Sequence, residues 1–527
     1  MNKTLKGWSM AVVVLPVLLS ACVSAQNPAR VELPQQYRLP QASLVTTFEK
    51  RSGRIALIDD NGDLVVMDQT GGGVVKITRD AANVGANQTS AGSRIEMAYR
   101  WPVWSPDGGQ IAFVELTSAQ PLPSRIIETG ADSVTVQHGD NSIVILQTEQ
   151  GQLRQSPTNS SLSIRQPGRV IIERDTTPTV LASSVYVAVA DGKQPLREVY
   201  ASNKGAVGYL DWSPDNTQLA FLAESGDQET TLTLVSKDAA AKPRVLATGA
   251  TAAWQWHPDG NSLVAKIDAN MTDYTADLTV LDTHTDKTTA TIAQKADMPF
   301  RAPAFSPDGN AIMYTVQEDG KDYLALADRQ GKLTRRLVQI DGPVSFSWSP
   351  ASAKVAYIVQ QPRSASTSFS TLPSGALHVL DVNSGEDRML SQLPVAGFFW
   401  APDGAHIAAF SPMSPASISR TFPGMDLTGN QPTSVLMLQT IDIKTDASRQ
   451  LFYFEPTSDF SRMLLEYDRF SHGVTIWSPD SRSLVFPMIY TNSQTGASNN
   501  VIMETEASGS IEPRYISPGS MAVWSPK

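Results

Sequence analysis

Few residues in this sequence have the types and spacing that catalysis requires. A nucleophilic hydrolase combines a serine or cysteine with a histidine and an acid, but the sequence has no Gly-x-Ser-x-Gly elbow and only one cysteine, Cys22. The six histidines form neither a His-x-x-His nor a His-Glu-x-x-His pair. No glycine-rich phosphate loop leads from a strand into a helix. We therefore predict no catalytic residue, no bound metal ion and no cofactor.

The remaining polar clusters fit turns better than ligand sites. The acidic run from Asp59 to Asp63 is similar to part of a calcium loop, but strand-like sequence follows where the loop needs its glutamate. We predict a hairpin turn there. His257 and His406 lie in or beside a repeated turn and are predicted to be structural. His138 and His472 could reach a binding face, although plain surface positions are favoured.

The amino-terminal residues have the layout of a secretion signal. Lys3 and Lys6 precede an apolar stretch from Trp8 to Leu19, which is too short to span a bilayer. The stretch ends in Leu-Ser-Ala-Cys, and the only cysteine of the chain, Cys22, occupies the last of these positions.

That tetrapeptide resembles a bacterial lipobox. The resemblance implies that residues 1–21 are a signal peptide and that Cys22 carries a thioether-linked lipid. Residues 22–50 contain three prolines and are predicted to be a tether. We expect a lipid anchor in the cell membrane, on the outer face of the cytoplasmic membrane or in the periplasm. The alternative is a soluble secreted protein whose cysteine lies near a cleavage site by chance.

The charge balance limits the partners. The 527 residues carry a net charge of −10, and no block is rich in lysine or arginine. Nucleic acid binding needs a basic surface, so we expect no nucleic acid partner.

A short motif of the form Trp-Ser-Pro-Asp-Gly recurs along the chain. The aromatic residues that open its copies are Trp104, Trp212, Trp256, Phe305, Trp348, Trp400, Trp477 and Trp524. Most copies precede a short apolar run, such as Ile111-Ala112-Phe113. Proline and Asp-Gly are typical of tight turns, and a buried aromatic residue packs neighbouring sheets together. We therefore predict that these residues are architectural.

The spacing of the copies predicts a β-propeller, because a period near 45 residues is typical of four-stranded blades. One blade per copy gives eight blades, or seven if one copy is a decoy. The last copy offers only one strand, and strand-like runs near 54–58, 64–67 and 74–78 would complete its blade. We expect an all-β, eight-bladed ring over residues 51–527, closed by pairing of the N- and C-terminal strands.

The motif is similar to the TolB-type propeller repeat, which is related in shape to WD40-like repeats. The similarity rests on Trp104-Ser-Pro-Asp-Gly followed by Ile111-Ala112-Phe113 and covers about residues 51–527. It implies the fold and is weak for function. The TolB family has a separate α/β domain, six blades and no lipid anchor, and this chain differs on all three points.

Long insertions are predicted to share one face of the propeller. With strands A to D running outward from the axis, B–C and D–A connections lie on the same face, because successive strands are antiparallel. Six long connections belong to these classes: about 81–99, 116–183, 361–375, 411–434, 456–472 and 489–499. Long loops on one face of a rigid scaffold usually form the surface that binds a partner or ligand. We call this surface the loop-rich face. Neutral drift is the alternative, although it would scatter insertions over both faces.

Two of these insertions contain candidate binding anchors: Arg420, Phe422, Tyr467, Arg469 and Phe470. Aromatic and arginine residues dominate many interfaces, but such residues also pack beneath loops. Residues 456–468 are expected to form a short helix.

The sequence thus predicts a membrane-anchored, extracytoplasmic propeller scaffold that binds an envelope protein, peptide or glycan through its loop-rich face. An alternative is an enzyme acting on saccharides at the axial mouth of the ring. That function would need carboxylates or histidines from several blades to converge there. A small-ligand sensor is a further alternative.

Overall fold

The computed structural model describes residues 53–81, 93–121, 125–129, 133–137, 143–149, 152–154, 163–166, 169–171, 179–225, 229–237, 241–268, 275–297, 302–360, 372–413, 435–492 and 497–527. The chain divides into two compact units. Among the described residues, the first unit comprises those within 93–96 and 117–181. The second comprises those within 53–81, 97–116 and 182–527.

Strands dominate the described residues. In chain order they are β1 (Ile55–Ile58), β2 (Leu64–Met67), β3 (Val75–Lys76), β4 (Ser93–Trp104), β5 (Gln110–Pro121), β6 (Arg125–Thr129), β7 (Ser133–Gln137), β8 (Ile143–Glu149), β9 (Gln152–Arg154), β10 (Ser163–Gln166), β11 (Arg169–Ile171), β12 (Thr179–Val189), β13 (Arg197–Ser202), β14 (Val207–Trp212), β15 (Gln218–Glu224), β16 (Thr230–Ser236), β17 (Arg244–Gly249), β18 (Thr251–Trp256), β19 (Ser262–Asp268), β20 (Thr275–Asp282), β21 (Lys287–Asp297), β22 (Ala304–Phe305), β23 (Ala311–Glu318), β24 (Lys321–Asp328), β25 (Leu333–Ile340), β26 (Val344–Trp348), β27 (Lys354–Gln360), β28 (Gly375–Asp381), β29 (Asp387–Val395), β30 (Gly397–Trp400), β31 (His406–Met413), β32 (Val435–Asp442), β33 (Ser448–Pro456), β34 (Ser483–Thr491), β35 (Ser498–Glu506), β36 (Arg514–Pro518) and β37 (Met521–Trp524). Two helices, α1 (Ser458–Leu465) and α2 (Tyr467–Phe470), lie between β33 and β34.

Nearly all of these strands belong to antiparallel sheets. The first unit contains the sheets β6-β7-β8-β9 and β10-β11. The other sheets are β3-β2-β1-β37, β13-β12-β5-β4, β14-β15-β16-β17, β18-β19-β20-β21, β22-β23-β24-β25, β26-β27-β28-β29 and β30-β31-β32-β33-β34-β35-β36. A succession of four-stranded meanders is the repeating pattern of a β-propeller, so the predicted all-β class is confirmed.

Six of the eight motif copies form the turn between the first and second strands of a sheet. In the first copy, the Ser105 hydroxyl donates to Asp107 at 2.6 Å, and the Ser105 N–H donates to the Gln110 carbonyl at 2.9 Å. Gly108 has a φ of +68°, which glycine adopts without steric cost. The same Ser-to-Asp bond recurs at Ser213, Ser306 and Ser478. The motif is therefore architectural, as predicted.

Five of the seven motif tryptophans join neighbouring repeats. The indole N–H of Trp477 donates to the Phe399 carbonyl at 2.9 Å, and Phe399 directly precedes the preceding motif tryptophan, Trp400. Trp400 donates to the Ser347 carbonyl at 3.1 Å, in the corresponding position. The bond recurs from Trp104 to Val523, from Trp212 to Val103 and from Trp256 to Asp211. Because a buried N–H without an acceptor is costly, this bond fixes the register of one sheet on the next.

Strands from opposite ends of the described chain meet in one sheet. Strand β1 pairs with β37, with Ile55 opposite Trp524 and Ile58 opposite Met521. Strands β2 and β3 continue this sheet outward. The Arg54 N–H donates to the Ser525 hydroxyl at 2.8 Å. These are the strand pairings that the sequence predicts.

The seven-stranded sheet departs from the repeat. The end of β33 pairs with β34, with Glu455 opposite Ile489 and Pro456 opposite Met488. The expected first strand of the next repeat is reduced to one bridge, between Trp477 and Leu484. The chain between β33 and this bridge leaves the sheet and forms α1 and α2.

Candidate functional site

Residues 457–473, which we call the inserted segment, run from β33 past the innermost strands of several sheets. Helix α1 follows Thr457, whose hydroxyl oxygen accepts the Phe460 N–H at 3.3 Å and donates to the Ser520 carbonyl at 2.8 Å. Such an N-cap satisfies a helix donor that would otherwise lack a partner. The short helix predicted over 456–468 is confirmed by α1 and continues into α2.

The apolar face of α1 is enclosed by the core. Phe460 and Met463 are 0% exposed, and Leu464 is 1% exposed. The Phe460 ring packs edge-on against Phe410 of β31, with a centroid distance of 5.0 Å. Full burial of one such side chain contributes about 1.5–3 kcal/mol. The inserted segment is thus part of the core rather than a loop lying over it.

Phe470 of α2 lies against aromatic rings from two other sheets. Its centroid is 4.8 Å from that of Trp101 on β4 and 5.0 Å from that of Tyr209 on β14. Both of these residues stand three positions before a motif tryptophan, and both have positive φ, 56° and 57°. Such a φ is an outlier for a bulky residue and costs about 1–3 kcal/mol. The contacts with Phe470 help to offset this strain.

Paired charges hold the same helices. The Arg462 guanidinium lies 5.5 Å from the Trp101 ring centroid, and that of Arg469 lies 4.6 Å from the Tyr209 centroid. The Glu466 carboxylate lies between them, 3.3 Å from Arg462 Nε and 3.0 Å from Arg469 Nη1. Burial raises the pKa of Glu466, and the charge of Arg469 opposes that rise. Apolar and ionic contacts therefore fix the segment together.

A polar recess lies at the far end of the inserted segment. A Cβ at Gly473 would be 2.8 Å from the Leu210 carbonyl oxygen and 3.6 Å from Asp211 Oδ1, so only glycine fits this approach. His472 Nδ1 is 3.4 Å from Gln255 Nε2. Asp211 and Gln255 each precede a motif tryptophan directly. The recess therefore lies where innermost strands β14 and β18 enter their motif turns.

Burial shifts the pKa values of both titratable groups in this recess. It raises the pKa of Asp211 to about 7 and lowers that of His472 to about 4. In both cases the cause is desolvation, which penalises the charged form. At neutral pH His472 is therefore uncharged, while Asp211 exchanges its proton in the range where acid–base and binding groups operate.

Three of the five predicted anchors pack inside the fold. Tyr467 and Phe470 are 4% and 5% exposed, and the Tyr467 hydroxyl donates to the Phe398 carbonyl. The side chain of Arg469 is 16% exposed. Their contacts are with the core, and their role in partner binding stays a prediction.

Several predicted features lie outside the described residues. They are the lipid attachment residue Cys22, the anchors Arg420 and Phe422, and His138. The predicted tether, residues 22–50, also lies there.

Sequence reasoning missed the recess. The structure places His472 half-buried beside Gln255 rather than on an open surface. Asp211 is inconspicuous within strand sequence, although most motif aromatics follow an apolar or small residue. Asp211 and Gln255 are exceptions at that position, and this was the available signal. The structural role predicted for His257 is confirmed, since it is 5% exposed with Nε2 3.1 Å from the Gly309 carbonyl.

Long connections leave two neighbouring sheets at the same edge. Gln360 at the end of β27 pairs with Gly375 at the start of β28, on the edge where β26 begins at Val344. In the next sheet, Met413 pairs with Val435 on the edge where β30 begins. The connections 361–374 and 414–434 therefore depart from the edge at which innermost strands begin, as the antiparallel order predicts.

Two kinds of site are not found among the described residues. No three His, Cys, Asp or Glu side chains in those ranges are grouped so that they could hold a metal ion. No described helix combines the length and apolar character needed to cross a membrane.

Comparison with known proteins adds a fold-level likeness. No family model and no curated protein matches this sequence. Similar solved structures include TolB from Acinetobacter baumannii, which is 14% identical over 66% of this chain and 79% of that chain, with a TM-score of 0.34. A eukaryotic initiation factor is 12% identical over 90% of this chain and 98% of its own, with a TM-score of 0.42. An oligogalacturonate lyase in complex with manganese is 13% identical over 60% and 87%, with a TM-score of 0.36.

None of these likenesses transfers an activity to this chain. The fold assignment itself rests on the meander sheets and on the repeated motif, which joins one sheet to the next.

Proposed function

We propose that this protein is a lipid-anchored, extracytoplasmic propeller scaffold that binds an envelope protein, peptide or glycan through its loop-rich face. The observation that carries the proposal is the inserted segment. It packs among innermost strands with Phe460 and Met463 fully buried. In a propeller, this segment would fill the axial space in which an enzyme of this architecture would hold a substrate, leaving the loops as the binding surface.

The proposal includes an eight-bladed closed ring. Counting the seven-stranded sheet as two blades gives eight, because β34, β35 and β36 follow their own motif tryptophan, Trp477. The pairing of β1 with β37 supports closure. A closed ring leaves binding loops on a rigid base, so less conformational entropy is lost when a partner binds.

The anchor completes the proposal. A lipid on Cys22 and a tether over residues 22–50 would hold the propeller near the membrane surface. The partner would then be another envelope component within reach of that tether.

The saccharide-enzyme alternative has less support. Glycoside hydrolysis usually requires two carboxyl groups about 5–10 Å apart across the scissile bond. Two of the three acidic residues of the inserted segment, Asp459 and Glu466, instead pair with Arg100, Arg462 and Arg469. Groups occupied in this way hold the segment in place.

In-cell crosslinking and pulldown would test the proposed interface. One variant replaces residues 122–178 with a short Gly-Ser turn that joins β5 to β12. A control variant carries a Gly-Ser insertion, of the same length as that Gly-Ser turn, in the turn 383–385 between β28 and β29. We expect a partner captured by the wild type and by the control, but lost from the first variant. Identical captures from all three folded proteins would contradict binding through this insertion.

A further inference from the structure

The polar recess beside Gly473 contains a carboxylate without a partner. Within the described part of the chain, the side chain of Asp211 makes no hydrogen bond and no ion pair. Its carbonyl, by contrast, accepts the indole N–H of Trp256 at 3.4 Å. A carboxylate withdrawn from bulk water is costly unless something pairs with it. The structure thus presents an acceptor for which the described residues supply no donor.

The recess is surrounded by protein yet remains accessible. Asp211, Gln255 and His472 are half-buried rather than buried. Desolvation nevertheless shifts the pKa of Asp211 upward and that of His472 downward. These side chains are surrounded by protein atoms but are still partly exposed to solvent. Such side chains line an indentation rather than a flat surface. A small group can therefore reach them.

The neighbouring atoms are mainly acceptors. Gln255 Oε1 is buried and has no hydrogen-bond partner among the described residues. The Gln255 amide nitrogen lies 3.4 Å from His472 Nδ1. The amide oxygen is enclosed in the observed position, and a rotation of the Gln255 side chain would turn it toward a ligand. The recess therefore offers one negative charge and, after that rotation, one neutral acceptor.

We propose that this recess binds a primary ammonium group, carried either by a small amine or by a lysine side chain of a peptide. An ammonium has three N–H donors and a single compact charge, which match one carboxylate and neutral oxygen acceptors. A divalent cation would need more oxygen ligands than these residues provide. The site takes its charge from Asp211, while Gln255 orients the bound group.

This site can be tested separately from the insertion proposed to bind the partner. Asp211 and Gln255 directly precede motif turns, at the opposite ends of β14 and β18 from those at which long connections depart. None of the recess residues lies within the insertion 122–178 that the interface test removes. Failure of either proposal therefore leaves the other testable.

Isothermal titration calorimetry on the full chain tests the proposal with two probes. n-Butylammonium chloride represents a free amine, and the peptide acetyl-Gly-Lys-Gly-amide represents a lysine side chain. Tetramethylammonium chloride has the charge but no N–H donor. We expect at least one primary ammonium probe to bind the wild type, with tetramethylammonium binding at least tenfold more weakly. Binding of the amine alone would identify free amines as the ligand, and binding of the peptide would identify lysine side chains.

The matched variants are Asp211→Asn and Asp319→Asn. Both remove one negative charge, but Asp319 is exposed in the hairpin turn between β23 and β24, where asparagine tolerates its φ of 51°. Asp211→Asn is expected to weaken binding about tenfold or more, and Asp319→Asn to leave it unchanged. Wild-type affinity should also rise between about pH 6 and pH 8, as Asp211 ionises. No binding of either primary ammonium probe to the wild type, or equal affinity in Asp211→Asn, would overturn the proposal.

Discussion

Replacing Trp477 with alanine is expected to lower the free energy of unfolding by about 3–5 kcal/mol. The side chain is 0% exposed, and its N–H donates to the Phe399 carbonyl at 2.9 Å. The bond and the buried ring both join neighbouring repeats, so the substitution opens a cavity and leaves the carbonyl without this donor. Urea unfolding followed by far-UV circular dichroism measures the change.

A matched pair of phenylalanine variants separates the hydrogen bond from the packing. Trp524 is also almost fully buried, at 1% exposed, but its indole N–H has no acceptor among the described residues. Trp477→Phe is therefore expected to destabilise the protein by about 1 kcal/mol more than Trp524→Phe does. Equal losses would show that the repeated indole bond contributes nothing to the joint.

The recess is expected to give the protein two opposing pH dependences of stability. For Asp211, the folded-state pKa of about 7 lies above the ordinary value of 3.8. The folded state therefore keeps a proton that the unfolded chain releases, and stability present below pH 3.8 is lost as the pH rises toward 7. For His472, the folded-state pKa of about 4 lies below 6.5. Stability present above pH 6.5 is therefore lost as the pH falls toward 4.

Each slope is about 1.4 kcal/mol per pH unit where one group alone differs in protonation between the two states. The two slopes oppose each other between pH 4 and pH 6.5 in the wild type. Asp211→Asn is expected to leave the His472 slope, so stability relative to the wild type rises with pH. His472→Gln is expected to do the reverse. Urea unfolding at several pH values measures both differences, and curves parallel to the wild type would contradict the assignment.

The sequence predicted those features that depend on local patterns. The Ser-Pro-Asp turn after Trp104 can be predicted from the sequence because each of these residue types favours one position in a tight turn. The pairing of β1 with β37 was predictable from two features of the sequence. The Trp524 copy of the motif has sequence for only one strand, and the apolar runs that include β1 and β2 have no first strand of their own. The helix near 456–468 was indicated by the apolar residues Met463, Leu464, Leu465 and Tyr467. In α1, the buried residues are Phe460, Met463 and Leu464.

The recess depends on contacts that no local pattern encodes. Asp211 and His472 are separated by more than 250 residues, and they come close because Gly473 approaches the Leu210 carbonyl. The positive φ values of Trp101 and Tyr209 could not be predicted from the sequence either, because an aromatic residue type does not indicate a β-bulge. We predicted that residues 456–472 form one of the connections of the loop-rich face. Within this range, Phe470 packs on the rings of Trp101 and Tyr209.

Hydrogen exchange at the amides of residues 460–470 tests most directly the claim that the inserted segment fills the space between the innermost strands. The bonds from the Ser461 N–H to the Thr457 carbonyl at 2.9 Å and from the Glu466 N–H to the Arg462 carbonyl at 3.0 Å lie in an enclosed helix. Core elements open only with large free energies, so we predict protection comparable to that of β31. Rapid exchange of these amides while β31 remains protected would contradict the account and reopen the axial space to a substrate.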